Sequence, residues 1–185
     1  MSKAYNKQLK PTSTALGVRL FGGNLELKYA KSEDLNKFAK HVPISDEITT
    51  QLLKGHLLVE EITRDLLQTL LLNPDALKGN SGTSFDCHQV ICLVESLLPC
   101  CEDTEWVWLA AKKINKIRNS LAHQLEPKGL DHMLGDFLKL VQSKSPHYQQ
   151  IKRNLDVPRR TLIYGALLAL CSELSALVEE VETKA

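Results

Sequence analysis

Arg118, Asn119 and His123 stand within one short stretch, Ile117-Arg-Asn-Ser-Leu-Ala-His123. Histidine titrates near neutrality and can accept or donate a proton. Arginine presents a rigid fork of donors that fits phosphate oxygens. Asparagine can donate to an anion or orient an imidazole ring. In the surrounding segment, Val107, Ala110, Ile114, Ile117 and Leu121 advance by three or four residues, which predicts one buried helical stripe. At about 100° per residue, Asn119 lies about 200° from Ile117, on the face opposite that stripe. His123 follows four residues later on the same side, and Arg118 occupies the flank. The three polar groups are therefore expected to converge outside the core, at the C-terminal end of a helix. Lys112, Lys113, Lys116 and Arg118 lie close together, with no acidic residue between Glu105 and Glu126.

This segment resembles the signature of the HEPN superfamily: an arginine, a polar residue, then a histidine four to six positions after the arginine. Arg118, Asn119 and His123 match those positions, and Lys116-Ile-Arg-Asn-x-Leu-Ala-His123 is similar to a common local version. The resemblance covers residues 45–183. It implies an all-helical domain that cleaves RNA without a metal or other cofactor and works as a homodimer, bringing two copies of the motif into one cleft. It assigns His123 to general acid/base chemistry and Arg118 to the phosphate, with Asn119 assisting or orienting. Cleavage through the RNA's own 2′-hydroxyl needs a proton acceptor, a proton donor and a group to hold phosphate charge, which these residue types supply. Many relatives are toxins or phage-defence effectors, so an antitoxin or regulatory protein is a further expected partner. In one toxin subgroup a tyrosine stands two residues beyond the histidine, where this chain has Leu125. The alternative expectation is a non-catalytic scaffold or regulator of the same shape that binds nucleic acid or a protein.

Secondary candidates surround this segment. Lys112, Lys113, Lys116 and His56 are expected RNA contacts; His56 borders the apolar stripe of an earlier helix, four residues before Glu60, and could face His123 across the bundle or a dimer cleft. Glu60 and Arg64 are also spaced for an ordinary surface pair. Cys87, His88, Cys92, Cys100 and Cys101 invite a zinc reading, but closed zinc sites usually pair ligands two to four residues apart on a turn. Buried thiols are expected instead, and no metal site is assigned. Trp106 and Trp108 point to different faces, so at most one is expected in the core. Lys152-Arg153 and Arg159-Arg160 could extend a basic track; His132 and His147 have no matching partners nearby.

The elements that must position these residues are predicted to be helices. Hydrophobic residues make up 43% of the 185 and aromatics only 5%, with leucine throughout, a balance that favours helix-on-helix packing over sheets. A net charge of +1 excludes a broadly basic nucleic-acid coat, so any RNA contact must be local. Helices are predicted from Ser32 to about His41, from Ser45 to about Leu72, over 84–98, over 103–122, over 129–142, and from Pro158 onward. Gly55 falls on the apolar stripe of the second, where a missing side chain admits another helix. The last has a predicted buried face of Ile163, Ala166, Leu167, Leu170, Leu174, Leu177 and Val181. The expected architecture is all-α: a single-domain, up-and-down bundle of five or six helices over residues 31–185. Residues 1–30 read as an extended arm or a small hairpin around Gly22-Gly23-Asn24. The N-terminus lacks a continuous apolar core, no later uninterrupted apolar run reaches membrane-spanning length, and the five cysteines are odd in number. No membrane association is expected, and a cytoplasmic protein with reduced thiols is.

Overall fold

The computed structural model describes residues 16–20, 23–27, 32–77, 85–99, 102–124, 126–145, 148–149 and 157–184. Leu125, Cys100, Cys101, His147, Lys152 and Arg153 lie outside them. The described residues contain six α-helices: α1 Ser32–His41, α2 Ile48–Leu70, α3 Cys87–Leu97, α4 Glu102–His123, α5 Leu130–Lys144 and α6 Arg159–Lys184. They form the all-helical bundle that the periodicities predict. A short hairpin precedes it, β1 Leu16–Leu20 against β2 Gly23–Leu27, antiparallel with Leu16 opposite Leu27. Gly23 and Asn24 belong to β2 rather than to the turn.

Local chemistry fixes the helix ends. Ahead of α2, the backbone N–H of Asp46 donates to the Pro43 carbonyl at 3.1 Å. That turn delays the helix from Ser45 to Ile48. The buried Gln51 then ties the turn down, donating to the carbonyls of Pro43 and Ile44 at 3.4 and 3.1 Å. At the start of α3, Asp86 and Gln89 form a reciprocal capping box, which satisfies two of the free N-terminal donors. Gly129 takes a left-handed conformation, φ 78°, to launch α5. Pro158 precedes α6 and its carbonyl accepts from Thr161 and Leu162.

Helices α2 and α6 form the centre. A Cβ added at Gly55 would lie 2.7 Å from Leu167 Cδ1, so the glycine is what lets α6 approach this closely. Sequence periodicity predicts one buried face for α6, yet Tyr164, Leu168, Ala169 and Cys171 are buried as well as Ile163, Ala166, Leu167 and Leu170. The cause is that α1, α2, α4 and α5 all pack on this helix, so over residues 163–172 every side is covered. Arg159–Thr183 is long and apolar enough by composition to cross a membrane, but 78% of its most apolar window is buried inside the bundle, as in the core helix of a folded domain. Phe38 of α1 meets Tyr164 edge to face at 5.2 Å, and Ser175 Oγ donates to Asp34 Oδ2 at 2.5 Å.

Helix α4 packs on α2, α3, α5 and α6. That many neighbours explains a correction: Trp106 and Trp108 are both buried, at 5% and 4% exposure. Coverage of both flanks of the stripe, not of one, takes in the two indoles.

Candidate functional site

Burial along α4 separates the core from the site. Val107, Ala110, Ile114 and Ile117 are buried, Arg118 is half-buried, and Asn119 and His123 are exposed. His123 is the last residue of the helix, where the helix dipole favours a cation. Arg118 Nη1 donates to Asn119 Oδ1 at 3.1 Å. Among the described residues no carboxylate pairs with Arg118 or His123.

Arg118 and Asn119 border a cavity of about 420 Å³ between α2, the start of α3, and α4. His56 of α2 is also part of its wall, at 1% exposure. Its Nε2 lies 3.0 Å from Asn115 Oδ1. An amide oxygen only accepts, so Nε2 carries the proton and donates to it. The other ring nitrogen, Nδ1, is buried without a hydrogen-bond partner, 4.0 Å from Glu60 Oε2. Burial depresses the His56 pKa below the usual imidazole range; the Asn115 hydrogen bond and the Glu60 charge oppose that effect, and Arg118 adds to it. The ring is therefore a neutral wall residue. As a neutral ring it would meet RNA without the positive charge that a lysine or arginine brings. His123 is not among the residues lining this cavity.

The remaining wall is held by ion pairing and capping. Arg64 donates to Glu60 Oε1 from Nε at 3.1 Å and from Nη2 at 2.6 Å. The same Nη2 donates to the Phe85 carbonyl at 3.0 Å, joining α2 to the start of α3. Cys87, the first residue of α3, is buried; desolvation, helped by the Glu60 charge, pushes its thiol up to about 11. Cys171 is also buried and Cys92 half-buried; the Cys92 Sγ lies 3.7 Å from His88 Nε2.

A second cavity of about 520 Å³ runs along α4, lined by Leu109, Lys112, Lys113 and Lys116. It shares His88, Asn115 and Asn119 with the first, so the two form one furrow. Lys113 and Lys116 also reach a smaller recess beside His132 and Asp136 of α5; His132 Nε2 is 3.6 Å from Asp136 Oδ2. Lys112 forms an ion pair with Glu95 of α3. The basic concentration is therefore weaker than the α4 sequence alone suggests, because an acid from another helix neutralises one member. Arg159 is likewise engaged, by Asp131 at 2.6 Å, while Arg160 is exposed.

Asn115 is the site residue that sequence reasoning missed; that reasoning read Arg64 as a surface pair with Glu60 and Cys87 as a buried thiol, without placing either in the site. Asn115 and Cys87 acquire their places through neighbours far along the chain, and Arg64 through Phe85 as well as Glu60; the Glu60–Arg64 spacing and the Asp86-x-x-Gln89 capping box were the local signals. Comparison of the chain with family models, with curated proteins and with solved structures finds no match.

Proposed function

We propose that this protein is a metal-independent endoribonuclease of the HEPN type, acting as a homodimer in the cytoplasm, with toxin or phage-defence roles as its natural setting. The carrying observation is the half-buried Arg118 at the edge of an open furrow, with no carboxylate partner among the described residues. An arginine held this way keeps its charge and fork of donors available for a phosphate. Lys113 and Lys116 continue positive charge along the same furrow, which suits a backbone running over α4.

In this reading Arg118 holds the phosphate, Asn119 orients or assists, and His123 moves the proton. Within one chain, the furrow's buried histidine is neutral and His123 lies outside the cavity wall. A second copy of His123 from a partner chain would supply the second proton-transfer group, so dimerisation belongs to the mechanism. The test is cleavage of RNA by the purified protein in EDTA, with His123→Ala and Arg118→Ala alongside. The second reading, a nucleic-acid or protein-binding scaffold with no cleavage, draws on the separation of His123 from the cavity. It predicts an RNA-inert wild type whose binding weakens on substitution of Lys112, Lys113 or Arg118 and is indifferent to His123→Ala.

A further inference from the structure

We propose that His56, Glu60 and Cys87 form a binding site for one divalent metal ion of the zinc class, with a fourth coordination position open to the furrow. One ligand atom from each of these residues lies within 4.8 Å of the others. The site shares its cavity with Arg118 and Asn119, but its three ligands take no part in the proposed cleavage chemistry, which uses Arg118, Asn119 and His123 and no metal.

The disposition of lone pairs carries the inference. His56 Nδ1 is buried, has no hydrogen-bond partner, and lies 4.0 Å from Glu60 Oε2. With the ring proton on Nε2 and committed to Asn115, Nδ1 presents only a lone pair, opposite a carboxylate oxygen. A buried lone pair facing the oxygen of a partly exposed carboxylate favours a cation between them. A ring nitrogen donating to a second residue while the other faces the site is the usual arrangement of a metal-binding imidazole. Arg64 takes Glu60 Oε1 and leaves Oε2 to point inward, the equivalent support for the carboxylate ligand.

Geometry and chemistry then narrow the ion. Zinc bonds of about 2.0–2.3 Å in a tetrahedron hold ligand atoms roughly 3.3–3.8 Å apart, so atoms that lie within 4.8 Å of one another need to close by up to about 1.5 Å. Rotation about the Glu60 and Cys87 side-chain torsions supplies that. His56 and Glu60 are four residues apart on one face of α2, and Cys87 is fixed by the Asp86–Gln89 capping box and the Arg64–Phe85 link. Nitrogen, carboxylate and thiol together suit zinc or cobalt(II), whereas magnesium and calcium require an all-oxygen set. Binding would deprotonate Cys87 and release its proton to solvent. The thiolate and Glu60 then balance the ion's two positive charges.

The test is titration of the chelator-treated full chain with Co²⁺, followed by optical absorption and by proton release. The expected result is one equivalent bound, with a thiolate-to-cobalt charge-transfer band and the intense d–d bands of a four-coordinate ion. Cys87→Ser should remove the charge-transfer band, and Glu60→Gln, which keeps the size of the side chain, should weaken Co²⁺ binding at least about tenfold. Absence of the charge-transfer band from the wild type overturns the proposal, as does its persistence in Cys87→Ser, which would locate the ion on other cysteines. Should Cys87→Ser fail to fold, the Glu60→Gln titration decides: unchanged affinity overturns the site. RNA cleavage enters none of these readouts, so loss of the nuclease reading would leave them intact, and the reverse.

Discussion

Replacing Gly55 by alanine tests the helix contact that sets the site's back wall. The new Cβ would stand 2.7 Å from Leu167 Cδ1 and 2.9 Å from Cδ2, about 0.7 Å inside ordinary contact distance for the closer atom. Leu167 is fully buried in the central helix, where close packing leaves a side chain little room to shift. Overpacking of this kind costs about 1–3 kcal/mol, while exchanging glycine for alanine in a helix interior returns about 1 kcal/mol. The expected net effect is a loss of about 1 kcal/mol, or roughly 2–4 °C in Tm for a chain of this size. The sign should reverse when the clash is removed. In a Leu167→Ala background, itself costing about 2–5 kcal/mol, Gly55→Ala should stabilise by up to about 1 kcal/mol. Urea unfolding followed by circular dichroism on the four proteins of this cycle measures the coupling. Equal stabilisation by Gly55→Ala in both backgrounds would refute the close α2–α6 approach. Because His56 is the next residue, a displaced α2 would also move the cavity wall.

Two other perturbations read different parts of the molecule. Tyr148 is 1% exposed, and burial pushes its hydroxyl up to about 12. The folded state thus resists ionisation that the unfolded chain undergoes near pH 10, so stability should fall as pH rises from about 10 towards 12. Phenolate absorbance from Tyr148 should appear together with loss of helical circular dichroism, and Tyr148→Phe should raise the alkaline midpoint; ionisation near pH 10 in a folded protein would contradict the burial. Lys113→Ala and Lys116→Ala should each weaken RNA binding and lower the slope of log affinity against log salt by about 1, with stability changed by less than about 0.5 kcal/mol. An unchanged slope in both variants would remove RNA from this furrow.

The parts legible in the sequence were those governed by neighbours three and four residues away. The α4 stripe, the exposed side of Asn119 and His123, the helix breaks near Pro43, Pro74 and Pro99, and the close-approach glycine at Gly55 all follow from local spacing. The all-round burial of residues 163–172 in α6 did not, since it depends on how many helices pack on it. The two tryptophans of α4 were missed for the same reason. The cavity wall was the least legible: Asn115 reaches His56 across 59 residues, and Cys87 meets Glu60 only after the capping box and Arg64 have set the start of α3. Spacing among the cysteines does not show this, because His56 and Glu60, whose polar atoms lie within 4.8 Å of the Cys87 sulfur, are on α2.

The most direct test of the central claim is RNA cleavage in the presence of EDTA by wild type and by His123→Ala. His123 is exposed and carries no carboxylate partner among the described residues, so its loss should leave the fold and its unfolding midpoint essentially unchanged. The account predicts cleavage that EDTA does not diminish and that His123→Ala reduces by at least about 10²-fold, the scale of a lost general acid or base. Cleavage of equal rate in folded His123→Ala, or no cleavage by the wild type, would contradict it.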